Sequence, residues 1–434
     1  MIVSRRAGAA SAAVTAATML TNGLAYLVPV VGARRLSAAD LSALATVLAL
    51  AAIATVPGLG LQIAVAVHRA RYGGVPATRL TLGTAAVTGS AVLVAAPLLA
   101  ASLRLSPGLI GLLAAMSVTV VLGCRWLGET QGDQRFLRLA AGLTVFALGR
   151  YAGVAVGLAL GAGLVGSLVA GTLTGILALP VLARLAAPER SAAAEPSASP
   201  ERATSTAGRA AGSDESAPAG GQVLDGRRVA TASSATLAML VLSYADLILA
   251  RQLLPAAESG AYAVGSVLTK GAIWAPQVVT VLVLPRLARG DRRARTVAVA
   301  LVAACGVVLV AGTAVASDLA VRLAGGPGYP TLAGYAPLFT AAGALYAVVF
   351  VLTNARVAAG VRLPAAPLWI ATAVLVVVTR FVAPHTLGGI LTCAVATAAA
   401  TTLALAWLGR RRTPDGPTST SGRRAGGPAV PDRV

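Results

Sequence analysis

The sequence is poor in charge, in aromatic side chains and in the residues that build catalytic centres. Only 12% of its 434 residues are charged and 4% are aromatic, whereas an ordinary soluble domain is about 25% charged. It has two histidines, three widely spaced cysteines and no GxxxxGK[ST] nucleotide loop. A soluble globular protein is excluded, an enzyme is not indicated, and no metal or other cofactor is expected.

Long apolar runs fill most of the chain. The sequence is 57% hydrophobic, with a mean hydropathy of +0.80. A helix needs roughly 20 apolar residues to cross a bilayer, and backbone in hydrocarbon must form helices to satisfy its own hydrogen bonds. We therefore predict an all-α polytopic membrane protein with about twelve transmembrane helices, the first of them an uncleaved span. The predicted spans are 7–33, 41–67, 80–103, 105–124, 139–158, 164–183, 229–250, 261–284, 296–315, 335–355, 365–382 and 387–408.

The basic residues predict the orientation of these spans. Cytoplasmic loops collect Lys and Arg, and a cytoplasmic N-terminus places 27 of the 35 Lys and Arg residues on one side, six on the other and two inside spans. The expected location is a bacterial plasma membrane, with multiple passes and both termini in the cytoplasm. Nucleic acid is not an expected partner despite the net charge of +20, because no aromatic residues are interleaved with a basic stripe.

The chain divides into two similar halves. Residues 185–228, rich in Ala, Ser, Pro and Glu, predict a disordered cytoplasmic linker between an N-lobe (1–184) and a C-lobe (229–409), and 410–434 predict a disordered tail. The segment ARRLSAAD at 33–40 resembles ARQLLPAAE at 250–258, at an offset of 217 to 218 residues. This repeat predicts two parallel six-helix lobes related by a pseudo-two-fold axis along the membrane normal, with a substrate site between them.

Two cationic residues fall deep inside predicted spans. A charge at the centre of a span costs about 2.5 to 3.5 kcal/mol on insertion scales, so it needs a partner or a wet cavity. We expect Arg150 and Lys270, one from each lobe, to face a shared cavity and bind a phosphate group. The alternatives are a contact of Arg150 with helix-end carbonyls, a misplaced span boundary at Arg150, and a buried ion pair between Lys270 and Asp246.

Other polar residues in the spans have less specific interpretations. Asp246 has three alternative interpretations: the ion-pair partner of Lys270, a proton-coupling carboxylate, or an outer-interface residue paired with Arg251. Four amides either line the cavity or fasten helices together: Asn22, Gln62, Gln277 and Asn354. Pro57 and Pro276, at equivalent positions of the repeat, are expected to kink their helices.

Several segments resemble bacterial polysaccharide-biosynthesis flippases of the multidrug/oligosaccharidyl-lipid/polysaccharide (MOP) exporter superfamily. In the C-lobe these are YADLILAR at 244–251, GAYA at 260–263, KGAIW at 270–274 and LPRL at 284–287. In the N-lobe they are NGLAY at 22–26, ARRL at 33–36 and VPGLGLQ at 56–62. The resemblance covers nearly the whole chain and implies two V-shaped, MATE-like bundles around a central cavity.

The resemblance implies movement of a lipid-linked glycan, such as a polyprenyl-pyrophosphate-linked one, from the inner to the outer leaflet for cell-surface polysaccharide synthesis. The expected partners are this glycan, membrane lipids and glycan-assembly proteins. One alternative is a MATE-like multidrug or organic-cation exporter, which needs acidic groups in its cavity. Another is a membrane glycosyltransferase or polymer ligase, which needs catalytic carboxylates or a sizeable outer domain.

Overall fold

The N-lobe is built from helices and short breaks between them. The computed structural model describes residues 2–73, 77–187, 226–274 and 292–411. In the described part of this lobe the helices are α1 (Ile2–Arg35), α2 (Ala38–Ala54), α3 (Val56–Tyr72), α4 (Thr78–Val94), α5 (Ala96–Leu103), α6 (Pro107–Gly132), α7 (Phe136–Ala147), α8 (Gly153–Ala159) and α9 (Gly163–Ala186). A π-helical turn, Leu148–Ala152, joins α7 to α8.

The C-lobe repeats this arrangement. Its described helices are α10 (Gly226–Leu253), α11 (Ala256–Trp274), α12 (Arg292–Val315), α13 (Ser317–Gly325), α14 (Ala336–Ala358), α15 (Ala366–Phe381) and α16 (Leu387–Arg411). A 3-10 turn, Pro330–Tyr335, precedes α14. Each lobe therefore contains a long helix followed after one residue by a short one: α4 with α5, and α12 with α13.

The helices coincide with the predicted spans wherever the structure describes them. Within the described ranges, nine helices are long and apolar enough to cross a membrane, and the bent pair α4–α5 would make a tenth. Of the two remaining predicted spans, one is the shorter helix α15, and the other is α11, which extends to the last residue of its described range. The chain is a multi-pass, all-helical membrane protein, and the structure adds detail at two places.

The first is Pro57, which the sequence predicts to kink its helix: the span is interrupted there, where α2 and α3 meet. Helix α2 ends at Ala54 and α3 begins at Val56 with Pro57 in its first turn, where the missing N–H of proline costs least. The second is the predicted outer loop after α12, which contains the helix α13. Pro276, Gln277, most of 185–228 and most of 410–434 lie outside the described residues.

The two lobes meet along a pseudo-two-fold axis. The Ser42 and Ser259 hydroxyls, 217 residues apart in sequence, are hydrogen-bonded to each other. Equivalent residues of two repeats can touch each other only beside the axis that relates the repeats. Next to this contact, Gly260 packs so closely on α2 that a β-carbon there would lie 2.6 Å from the Ala38 carbonyl oxygen. An apolar cluster that includes Leu41, Leu247 and Tyr262 continues the inter-lobe packing.

Candidate functional site: a cationic cavity between the lobes

A cavity of about 280 Å³ lies between the lobes near the middle of the helices. It is lined by α1, α2 and the π-helical turn of the N-lobe and by α10, α11 and α14 of the C-lobe. Arg150 and Lys270 both line it. The structure thus brings together the two cations that the sequence places deep inside separate spans. Its described lining contains no Asp or Glu, so both fixed charges are positive.

Arg150 reaches the cavity from the π-helical turn. Such a turn inserts an extra residue into a helix and frees a backbone carbonyl, and it is frequent at functional sites. Here the Thr174 hydroxyl of α9 donates to the carbonyl oxygen of Gly149 at 2.8 Å. Gly149 lies against α9, where a β-carbon would come 2.6 Å from that of Ala178. Close packing and this inter-helix hydrogen bond fix the turn that presents Arg150.

The Arg150 guanidinium has no polar partner in the described part of the chain. Its central carbon lies 5.1 Å from the centroid of the Tyr151 ring, and its side chain is half-buried. Neither the helix-end carbonyl contact nor an ion pair occurs among the described residues. The hydrogen-bond donors of Arg150 are therefore available to a ligand in the cavity.

Lys270 is held by α10. Its Nζ donates to the backbone carbonyl of Ser243 at 2.5 Å, lies 3.4 Å from the Ser243 hydroxyl oxygen and stands 3.5 Å from the centroid of the Tyr244 ring. This is a cation-π geometry, which retains the positive charge without neutralising it. An ammonium has three donors, so the lysine can bind an anion while it keeps its bond to Ser243.

Asp246 lies behind the cavity wall. Its side chain is 3% exposed, and its Oδ2 accepts a hydrogen bond from the Tyr262 hydroxyl at 2.9 Å. None of its oxygens lies within 4 Å of the cationic nitrogens of Lys270 or Arg251 in this structure. Asp246 therefore forms no direct ion pair with Lys270 or Arg251 in this structure, and its hydrogen-bond partner is Tyr262, two turns of α11 before Lys270.

The amides do not line the cavity in the described residues. The Gln62 side chain donates to the Gln131 side-chain oxygen at 3.1 Å, so it fastens α3 to α6. Asn354 donates to the carbonyl of Phe350 in its own helix. Asn22 is half-buried in α1, one turn before the cavity residue Tyr26. None of the three described amides lines this cavity, so their role in substrate binding stays a prediction, and Gln277 lies outside the described residues.

Aromatic side chains around the cavity are the part of the site that the sequence analysis missed. Five of the 17 aromatic residues in the chain line it: Tyr26, Tyr151, Tyr244, Trp274 and Phe350. The available signal was the pair Arg150 and Tyr151, in which a tyrosine follows the cation inside an apolar span. Flat aromatic faces can pack against rings or acyl chains beside a bound charged group.

Solved structures share this two-lobed fold. A MATE transporter in complex with MaL6 is 14% identical with a TM-score of 0.58, covering 93% of this chain and 95% of its own. An inward-facing multidrug resistance MATE transporter of the MOP superfamily is 15% identical with a TM-score of 0.57, covering 91% of this chain and 96% of its own.

A MOP superfamily transporter from Pyrococcus furiosus is 14% identical with a TM-score of 0.53, covering 93% of this chain and 95% of its own. It is described as having a reverse polarity of the binding pocket that suggests a different function. Comparison of the sequence with known protein families and with curated proteins gives no match. The chain therefore has the two-lobed, twelve-helix fold of MATE transporters.

Proposed function

We propose that this protein is an alternating-access transporter that moves an anionic, lipid-linked glycan from the inner to the outer leaflet of a bacterial plasma membrane. The observation that carries the proposal is the pair Arg150 and Lys270, which belong to different lobes and line one cavity that has no carboxylate in its described lining. A ligand bound to both would bridge the two bodies that move in this mechanism.

The chemistry of the two cations fits a pyrophosphate. A guanidinium grips phosphate oxygens through two parallel hydrogen bonds, and an ammonium adds a point charge. A charge at mid-membrane raises the free energy of insertion and marks a substrate pathway. The two positive charges of this cavity, with no carboxylate in its described lining, therefore favour an anionic substrate. The surrounding tyrosines and Trp274 give flat surfaces for the sugar or for the first part of the lipid tail.

An organic-cation exporter of the same fold is the rival candidate. Solved neighbours are multidrug resistance MATE transporters, and aromatic residues attract organic cations. Two fixed positive charges repel such a ligand, and the carboxylate of Asp246 is bonded to Tyr262 behind the cavity wall. The reverse pocket polarity described for the Pyrococcus furiosus neighbour gives a precedent for a different cavity charge on this fold.

Binding of three probes to the purified full-length protein in lipid nanodiscs separates these candidates. Farnesyl diphosphate carries the charged group, farnesol carries the same tail without it, and tetraphenylphosphonium is an organic cation. We expect farnesyl diphosphate to bind at least tenfold more tightly than farnesol, and tetraphenylphosphonium to bind no better than farnesol. Tighter binding of tetraphenylphosphonium than of the diphosphate would support the exporter instead.

Variants that remove one positive charge test whether Arg150 and Lys270 bind farnesyl diphosphate. Arg150→Gln and Lys270→Gln should each weaken farnesyl diphosphate binding by about tenfold to a hundredfold, because each removes roughly 1.5 to 3 kcal/mol of charged hydrogen bonding. Arg380→Gln removes an exposed arginine outside the cavity lining and should leave the affinity unchanged. Equal affinity in all three variants would contradict the assignment of the site.

A further inference from the structure

Two arginines cross from one lobe to the other at the same end of the molecule. Arg251 of α10 donates from Nε to the Leu103 carbonyl at 3.1 Å and from Nη1 to the Ala39 carbonyl at 3.0 Å. Arg34 of α1 donates from Nη2 to the Leu323 carbonyl at 3.3 Å. Each arginine belongs to one lobe and its acceptors belong to the other.

The two contacts are related by the internal repeat. Arg34 and Arg251 are 217 residues apart, and their acceptors Leu103 and Leu323 are 220 residues apart. Leu103 is the last residue of the short helix α5, and Leu323 lies in the last turn of the short helix α13. Each lobe therefore reaches the other through the same pair of elements, as a two-fold arrangement requires.

The Leu103 and Leu323 carbonyls suit an arginine because both lie in the last turn of a helix. Carbonyls in the last turn of a helix have no partner within the helix, and they carry the negative end of its dipole. A guanidinium satisfies such carbonyls and adds a charge of the favourable sign. The guanidinium of Arg251 also bridges α5 and α2, which takes a forked donor.

These contacts lie beside the place where the two lobes touch each other. The hydrogen bond of Ser42 with Ser259 and the packing of Gly260 on Ala38 lie at the same helix ends as Arg34 and Arg251. The basic-residue distribution predicts that this is the outer end, where only six cations fall. Two of those six make the bonds that cross between the lobes.

We propose that Arg34 and Arg251 are a symmetric pair of latches that hold this end of the cavity closed and release when it opens. The proposal rests on the alternating-access part of the proposed function, and it is independent of the substrate. The lobes cannot separate at this end while either arginine keeps its carbonyl acceptors. Removing both arginines therefore shifts the protein toward the state that is open at this end.

Distance measurement between the lobes tests the latches. Spin labels are attached at Gly108→Cys and Ala257→Cys, two exposed positions of opposite lobes at this end, after the three native cysteines are replaced by alanine. Double electron–electron resonance then reports the inter-lobe distance of the full-length protein in nanodiscs. We expect Arg34→Gln with Arg251→Gln to raise the long-distance population several-fold.

Conservative variants distinguish a latch from a general loss of charge. Each variant is made with the other arginine already changed to glutamine, because either latch alone holds the lobes together. Arg34 contacts one carbonyl, so Arg34→Lys with Arg251→Gln should keep the short distance of the parent protein. Arg251 bonds carbonyls in two helices, so Arg251→Lys with Arg34→Gln should open the end almost as much as the double glutamine variant. Arg35→Gln removes the neighbouring exposed arginine and should change nothing.

An unchanged distance distribution in the folded Arg34→Gln with Arg251→Gln protein would overturn the proposal, as would an equal response to Arg35→Gln. Folding is checked by monodisperse elution and a cooperative thermal unfolding transition. The readout needs no substrate, so it stays informative if the glycan assignment fails. Conversely, failure of the latches leaves the binding experiment on Arg150 and Lys270 unaffected.

Discussion

At the scale of the residue, two buried tyrosines of the C-lobe differ in one respect that decides their contribution to stability. Tyr262 and Tyr346 are both 0% exposed. The Tyr262 hydroxyl donates to Asp246, whereas the buried Tyr346 hydroxyl has no hydrogen-bond partner among the described residues. A buried carboxylate that loses its donor costs far more than a hydroxyl that had no partner.

Tyr262→Phe should therefore destabilise the protein by about 1 to 3 kcal/mol, because it leaves Asp246 Oδ2 without its hydroxyl donor. Tyr346→Phe is the matched control and should be neutral or slightly stabilising. Thermal unfolding of both variants in the same nanodiscs measures the difference. A loss for Tyr346→Phe as large as that for Tyr262→Phe would show that the hydrogen bond is not what stabilises this region.

The sequence predicted the two cations of the cavity but not how the polar residues around them pair. A charge far from either end of a span has few places to lie, so Arg150 and Lys270 could be placed beside a cavity from sequence alone. An amide can bond to any neighbouring helix. The partner of Gln62 is 69 residues away, and no local pattern specifies it. The same holds for the carbonyl acceptors of Arg34 and Arg251.

At the scale of the element, the helices followed from apolar run length, whereas the π-helical turn did not. Runs of about 20 apolar residues have one stable backbone arrangement in a bilayer. The turn at Leu148–Ala152 depends on another helix, because the Thr174 hydroxyl of α9 donates a hydrogen bond to a carbonyl that the turn leaves free. Its sequence signal is weak, because glycines beside Arg150 also occur in ordinary helix packing.

Thr174→Val removes that donor with little change of shape. We expect it to let the turn relax and misplace Arg150, which lowers the affinity for farnesyl diphosphate several-fold. Thr172→Val is the control, since the Thr172 hydroxyl bonds the Leu168 carbonyl of its own helix. Isothermal titration of both variants measures the effect. Equal affinities for the two variants would contradict the positioning role of Thr174.

At the scale of the whole molecule, the internal repeat places charged groups at two levels of the same interface. Arg150 and Lys270, one from each lobe, line the cavity, and Arg34 and Arg251 join the lobes at one end. The repeat in sequence indicated two related lobes, and the contact of Ser42 with Ser259 fits that arrangement. Opening one end of such a pair while the other closes is the motion that this architecture favours.

If the cavity binds an anionic lipid-linked glycan for transport, loss of the protein changes the leaflet distribution of such lipids. Cells depleted of the protein are treated with a membrane-impermeant label, and the lipid-linked glycans are then identified by mass spectrometry. We expect one species to accumulate unlabelled on the cytoplasmic leaflet, and we expect the parent chain, but not Arg150→Gln with Lys270→Gln, to restore its labelling. An unchanged distribution of every lipid-linked glycan would contradict this function.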